Sequence, residues 1–371
     1  MKINLRFTIC ALLTLSLALA GCGAPRPASS PDAPTPIPQI SLPLVESPNL
    51  WSIYFVDESF GWGATETKVV RTNDGGVTWY DATPPDLTFV GYSPYVFLDA
   101  LTAWILDDSG TLYHTTNGGS SWTWNPVPFM YGSLQFLDAS NGFAMADLGA
   151  GAGSQGVAIY KTNDGGATWQ VVFEHEPGAD ESLPLGGQKY GFTFLDASRG
   201  WIGGSIPVDN YIYLYVTQDG GATWSEANLA LPAGYESAQT GNYAPIFFSA
   251  ADGLLPVNMV LPADPGIATV FFVTRDGGQT WTPGQAIPNG RPASMYSIND
   301  IVAWGGGSFY VSRDGGQTWG SVTPDMDFTD LLSDIQFVNA DTGWALTTHD
   351  GVDTSLYKTN DGGATWALLI P

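Results

Sequence analysis

The sequence predicts an all-β chain built from seven copies of one strand-and-turn unit, and three observations lead there. The first is an octamer, Thr72 to Trp79, that returns at 115–122, 162–169, 217–224, 274–281, 312–319 and 359–366. Each copy runs Ser/Thr, any residue, Asp/Asn, Gly, Gly, any residue, Ser/Thr, Trp. The second is the step between successive octamer tryptophans, 38 to 57 residues. That is the length of a four-stranded blade and too long for a solenoid turn. The third is the absence of a helical period from Ile40 onward. Short runs rich in Val, Ile, Tyr, Phe and Trp alternate there with Gly, Pro, Asn and Asp, the pattern of strands and turns. Together they give a seven-bladed β-propeller of four-stranded antiparallel blades over residues 40–371, one closed domain despite its length.

Residues 1–21 read as a targeting segment. Lys2 and Arg6 make a positive start, and Phe7 to Ala20 is an apolar run too short to span a bilayer. Leu19-Ala20-Gly21-Cys22 has the form of a bacterial lipobox, so cleavage before Cys22 and lipidation of Cys22 are expected. Cys10 leaves with the leader, so the mature domain has no cysteine for a disulfide or a thiolate metal site. Residues 22–39 are a proline-dense tether, extended rather than helical or sheet-forming.

Within a repeat the parse is innermost strand (52–56), second strand (61–64), third strand (68–72), octamer, outer strand (79–83). Asp-Gly-Gly is hairpin-turn chemistry. Glycine takes positive φ without a Cβ clash, and a short Asp or Asn side chain bonds the amides just ahead of it. Asp74, Asn117, Asp164, Asp219, Asp276, Asp314 and Asp361 are therefore expected to be turn staples rather than catalytic or metal-binding acids. The octamer Trp opens the outer strand and is expected to carry its ring into the packing between neighbouring sheets. Ile40-Ser-Leu-Pro43 and Leu368-Leu-Ile-Pro371 both look like outer strands, and the sequence leaves open which terminus completes the last blade.

A second motif precedes each octamer. It reads Phe55-Val-Asp57 with Gly61-Trp62, Phe97-Leu-Asp99 with Ala103-Trp104, and Phe136-Leu-Asp138 with Gly142-Phe143. It continues as Phe194-Leu-Asp196 with Gly200-Trp201 and Phe337-Val-Asn339 with Gly343-Trp344. The copies at 247–254 and 297–304 are worn. The octamer is similar to the Asp-box, or bacterial neuraminidase repeat, of sialidases, sortilin-type receptors and glycan-active propellers. In those proteins it is a structural turn between the third and fourth strands. Its pairing with the second motif resembles the photosystem II stability and assembly factor propellers of cyanobacteria and chloroplasts, over roughly residues 40–371. That resemblance implies assembly or stabilisation of a membrane protein complex. It also implies a basic binding surface, which this chain is too poor in Lys and Arg to build, so the fold can carry over while the partner does not.

The formal net charge is −24, and loss of Lys2 and Arg6 with the leader leaves −26. That argues against nucleic acid and anionic lipid surfaces, which need a basic footprint. The two turn motifs share one face of the toroid. The insertions fall in connections on the other face, at 147–156, 174–190, 206–210, 226–243 and 258–266. Variable loops over a rigid repeat scaffold are where binding residues usually sit. The candidate binding residues are Glu174, Asp180, Glu181, Tyr190, Tyr211, Glu226, Tyr235, Glu236 and Tyr243, with Glu176 beside them; the alternative is a solvated acidic rim.

Sialidase chemistry needs an arginine cluster for its carboxylate substrate. Arg71, Arg275 and Arg313 fall in or beside octamers, Arg199 belongs to a motif turn, and Arg291 alone is free to face the channel, so no triad assembles. His114, His175 and His349 are scattered and read as solvent-facing. No metal site and no cofactor are expected. The expected function is a monomeric, lipid-anchored, extracytoplasmic binding or assembly scaffold with a protein or glycan partner. The alternative is a glycoside hydrolase using paired loop carboxylates, with Glu181 and Glu236 the first acids to test.

Overall fold

The computed structural model describes residues 42–371 except 88–93, 131, 177–180, 263, 330 and 349–352, with 264, 265, 292 and 293 described through their backbone alone. The leader, Cys22, the tether, Asp180 and His349 lie outside the described residues. Ile40–Pro371 forms one compact unit. Among its described residues there are strands, turns and loops and no helix.

Every strand pair is antiparallel. The sheet of the first repeat runs Ser52–Phe55, Gly61–Ala64, Val69–Thr72 and Trp79–Asp81 from one edge to the other. Leu44–Val45 adds a fifth strand outside Trp79–Asp81. Repeats 2, 3, 6 and 7 each form one four-stranded sheet in chain order, the last ending with Ala367–Ile370. The C-terminal strand thus completes its own sheet, and the N-terminal strand lies beside the first sheet rather than in the last.

Repeats 4 and 5 share a single ten-stranded sheet, so among the described residues six hydrogen-bonded sheets stand where the octamers predict seven. The join is one residue pair, Ser205 with Gly241. It forms because the inner strand of repeat 5 is broken at Tyr243-Ala244-Pro245. Its first part, Gln239–Asn242, swings toward repeat 4, while Ile246–Phe247 keeps the usual pairing with Leu254 and Gly253. Proline has no amide hydrogen to continue the ladder.

The second motif is a packing device. Its glycine lies under its phenylalanine: a Cβ at Gly61 would stand 2.6 Å from the Phe55 ring, and Gly142, Gly200, Gly253 and Gly343 meet Phe136, Phe194, Phe247 and Phe337 in the same way. Its second aromatic crosses to the following repeat. Trp62 stacks on Phe97 at 5.0 Å, Trp104 on Phe136 at 3.7 Å, and Phe143 on Phe194 at 3.5 Å. Trp344 stacks on Phe55 at 3.6 Å, so the last sheet meets the first. The octamer tryptophans pack between neighbouring sheets as expected: Trp79 lies among Trp344, Leu346 and Leu356 of the last repeat, and the indoles of Trp122 and Trp319 donate to the carbonyls of Ala82 and Gln285 in the repeat before. Five of them also make a local bond. Trp79, Trp169, Trp224, Trp281 and Trp366 donate their indole N–H to the carbonyl of the second octamer glycine, three residues back. Each also meets the motif phenylalanine of its own repeat edge-on, as Trp79 meets Phe55 at 72°. Stacking between sheets falls mainly to the second motif.

Along the inner strands, side chains stand in for strand pairing. Gln336 accepts from the Phe55 amide and donates to the Phe55 carbonyl (2.5 and 2.9 Å), and Gln135 does the same to Phe194. Asp334 accepts from the Ile53 amide at 3.1 Å. The meeting of first and last repeats is therefore held by these bonds and by the buried cluster of Leu50, Phe55, Trp79, Trp344, Leu356 and Ile370.

In each octamer the acid is wired into its turn. Asp74 Oδ1 accepts from the Thr72 hydroxyl and the Val77 and Thr78 amides, and Oδ2 accepts from the Thr78 hydroxyl. The same wiring recurs in the other aspartate copies, as at Asp164 and Asp361. Asn117 Oδ1 keeps the contacts with the Thr115 hydroxyl and the Ser121 amide, and its Nδ2 donates to Ser121 Oγ. These bonds favour the ionised form, so the carboxyls of Asp164, Asp276, Asp314 and Asp361 lie below the ordinary range, Asp276 at about 2 with the Thr280 hydroxyl its leading cause. A folded pKa below the unfolded one gives stability that is present above about pH 4 and lost as pH falls toward 2. The thermal midpoint is accordingly expected to hold from pH 7 to 5 and to drop below pH 4. A midpoint flat down to pH 2 would show that these turns contribute nothing.

Candidate functional site

The break in the inner strand of repeat 5 opens a cleft of about 770 Å³ between repeats 4 and 5. Its walls come from segments far apart in sequence: Tyr190, Ser205 to Pro207, Gln239 to Ala244, and the long hairpin of Gly253–Leu261 and Asp264–Thr274, with Met295 from repeat 6 at one end. A close backbone approach shapes it. A Cβ on Gly203 would lie 2.4 Å from the Tyr243 carbonyl carbon and oxygen and 2.8 Å from the Ala244 nitrogen, so only glycine fits there.

The lining is mostly apolar, with Ile206, Ile246, Val260 and Ile267 prominent. Its polar members are neutral: Ser205, Gln239, Thr240, Asn242 and Asn258. Among the described residues no carboxylate, ammonium or guanidinium lines it, in a chain of net charge −24. Two tyrosines flank the opening. Tyr190 and Tyr243 are 47% and 65% exposed and their ring centres are 5.9 Å apart. The Tyr190 hydroxyl is held against Ser205 Oγ at 2.5 Å. Asn242 is buried; its Nδ2 donates to the carbonyls of Tyr213 and Tyr243, and its Oδ1 has no partner. Because carbonyls can only accept, those two bonds fix which end of the amide is nitrogen.

Lys189 sets the position of Tyr190. Its ammonium is buried and donates to the carbonyls of Gln155, Pro184 and Leu185 (2.8, 2.8 and 2.9 Å), with Gly186 and Gly187 at 3.3 Å. Its own amide donates to Gln155 Oε1 at 2.7 Å. Burial pushes the Lys189 ammonium down to about 8, so it still carries its charge at neutral pH. The cation thereby ties the hairpin of repeat 3 to the loop entering repeat 4. The ladder shifts register between Lys189 and Gly191, turning Tyr190 outward.

Of the residues singled out in the sequence, the cleft brings together Tyr190 and Tyr243. Tyr211 lies behind it, bonded through its hydroxyl to Tyr215 at 3.1 Å and through its carbonyl to the Thr240 hydroxyl. Tyr235 closes a turn, its amide donating to Pro232 and its carbonyl accepting from Ala238. The acids go elsewhere. Glu174 and Glu226 sit exposed on outer strands, Glu181 Oε1 accepts from the Glu176 amide, and Glu236 caps its own turn through the Gly234 amide. The structure does not bring Glu181 and Glu236 into the cleft as a pair. Lys189, Gly203, Asn242 and Ile267 were not singled out. Their only sequence signal is indirect: a lysine inside an apolar strand, a Gly-Gly outside the octamers, and a proline two residues after Tyr243.

The described arginines other than Arg291 are dispersed and separately engaged. Arg199 pairs with Asp196, Arg275 with Asp252 and Arg313 with Asp300. Arg71 lies inside rather than at the rim, against the rings of Phe60 and Trp62. The two described histidines also turn inward: His114 stacks on Trp104 at 4.5 Å, and the His175 ring sits between the carbonyls of Val157 and Leu183. Among the described residues no group of three or more His, Cys, Asp or Glu could hold a metal ion.

Comparison with known proteins places the chain beside the photosystem II assembly factors. Residues 33–183 match the family model described as photosynthesis system II assembly factor YCF48, and residues 272–283 match the BNR/Asp-box repeat. The chain is 28% identical over 176 residues to the photosystem II assembly lipoprotein Ycf48 of Synechococcus sp. strain CC9902, a match covering 46% of this chain and about half the length of that relative. It is 23% identical to the chloroplastic photosystem II stability/assembly factor HCF136 of rice, over 88% of this chain and 72% of that one. Among solved structures, YCF48 bound to D1 peptide is similar over 88% of this chain and 99% of that one, with a TM-score of 0.53 and 18% identity. The GH74 xyloglucanase of Xanthomonas campestris is similar over 89% of this chain and 55% of that one, with a TM-score of 0.58 and 13% identity. At those identities the structural likenesses speak for the fold alone. The resemblance to photosystem II assembly factor propellers thus rests on both sequence and fold.

Proposed function

We propose that this chain is a lipid-anchored, extracytoplasmic scaffold that holds a membrane-associated protein while its complex is assembled, and that it does no chemistry of its own. In this reading residues 1–21 are the leader, Cys22 carries the lipid, residues 22–39 are the tether, and 40–371 form a monomeric seven-bladed propeller. The ten-stranded sheet then counts as two blades joined at Ser205 and Gly241, one for each of the seven octamers. The likeness to assembly factors, one of them named a lipoprotein and another solved with a peptide, supports a polypeptide partner beside a membrane.

The observation that carries the reading is the uncharged cleft with two exposed tyrosines, placed where loops vary and away from the shared turns. Exposed, rigid aromatic rings at the mouth of an apolar pocket are the ordinary make-up of a protein-binding hot spot. The octamer aspartates stay structural, and Glu174, Glu181, Glu226 and Glu236 form an acidic surround rather than a catalytic pair. A photo-crosslinking amino acid in place of Tyr243 is expected to capture a membrane protein in solubilised membranes. The same group in place of Val77, 62% exposed in an octamer turn, is expected to capture none.

A further inference from the structure

We infer that the cleft between repeats 4 and 5 takes an extended polypeptide segment whose core is uncharged and apolar and whose flanks are basic. The inference rests on the scaffold reading above and names the chemistry of the partner at that site.

Two observations point to this occupant. Among the described residues the cleft offers apolar surface without a charge to pair, so an ionised side chain entering it would be desolvated with nothing opposite. The protein around it is strongly acidic, and exposed acids stand close along the chain to its walls. Asp209 is two residues from Pro207, and Glu236 is three residues from Gln239. A partner with lysine or arginine on either side of an apolar stretch fits both features, and the field of a chain at −24 draws it in. The rings of Tyr190 and Tyr243 then lie against the apolar side chains, much as aromatic rims hold extended peptides elsewhere.

The test uses the full chain and fluorescein-labelled peptides, acetylated and amidated, with a serine–leucine–valine–leucine–serine core between two pairs of lysines. Anisotropy is expected to show binding of this peptide. Replacing the three apolar residues by serine is expected to weaken it at least tenfold. Glutamates in place of the lysines are expected to weaken it at low salt, with the gap narrowing as salt screens the field. Tyr243→Ala and Ile267→Asp alter exposed side chains and leave the fold intact; each is expected to weaken binding about tenfold. Equal binding of the all-serine core would overturn the inference, since charge alone would then explain the affinity. Displacement of the peptide by a neutral oligosaccharide, cellotetraose or a xyloglucan heptasaccharide, would overturn it in favour of a glycan site. If the crosslinker at Tyr243 captures a membrane protein while the peptide fails to bind, the scaffold reading stands and the assigned segment chemistry is wrong.

Discussion

Trp344→Ala is expected to lower the stability of the whole chain by about 3–5 kcal/mol, the range for deleting a fully buried aromatic side chain. Trp344 is among the largest fully buried side chains. It lies flat on Phe55 at 3.6 Å and 4°, and its indole donates to the Gly75 carbonyl at 2.9 Å. Both partners belong to the first repeat, nearly the whole chain away. No backbone ladder crosses this seam among the described residues, so side chains hold it: the ring, the indole bond, the Gln336 and Asp334 bonds to the backbone of Phe55 and Ile53, and the buried cluster around them. Removing the ring therefore leaves a cavity where first and last repeats meet, and cooperative unfolding should begin there. Urea denaturation measures the loss. Trp124→Ala, at a ring 56% exposed on an outer strand, is the control, with a change within about 0.5 kcal/mol. A loss below 1 kcal/mol at Trp344 would mean that the seam does not support the fold.

Gly203→Ala is expected to cost about 1–3 kcal/mol and to spoil the cleft. The added methyl would meet backbone atoms of Tyr243 and Ala244 at 2.4 to 2.8 Å. Backbone cannot rotate away as a side chain can, so the strand of repeat 4 and the 242–244 segment must part. The pair of Ser205 with Gly241 sits two residues further along and should be lost with it. Thermal denaturation reads the cost, and the anisotropy assay reads the cleft, with binding expected to fall at least tenfold. Gly151→Ala is the control, because a Cβ there meets nothing within 4 Å. Unchanged binding and stability in Gly203→Ala would show that the close approach does not shape the site.

The parts of this fold that were legible in the sequence are those written into local chemistry. The octamer names its turn because the hydroxyl, carboxylate and glycines that build it lie within five residues of one another. The second motif was visible as a pattern, yet its work was not. That Gly61 lies under Phe55, and that Trp62 crosses to Phe97, depends on where the next sheet stands, which no local spacing encodes. The inward placement of Arg71, His114 and His175 escaped for the same reason, since polarity alone suggested solvent. The loop face was located by its variable lengths, and Tyr190 and Tyr243 came from it. The cleft itself was not legible. It arises where the inner strand of repeat 5 breaks at Tyr243-Ala244-Pro245 and leans on repeat 4, a contact between segments some forty residues apart that also merges two expected sheets into one. Acidity was the misleading signal: Glu181 and Glu236 drew attention as charges, whereas none of the described residues lining the cleft is charged.

The central claim is that partners are recognised at the cleft face and not at the shared turns, and paired photo-crosslinking tests it most directly. With the crosslinker at Tyr243, the account predicts a covalent adduct with a membrane polypeptide that excess lysine-flanked peptide suppresses, and no adduct with the crosslinker at Val77. Equal capture at both positions, or capture at Val77 alone, would contradict it.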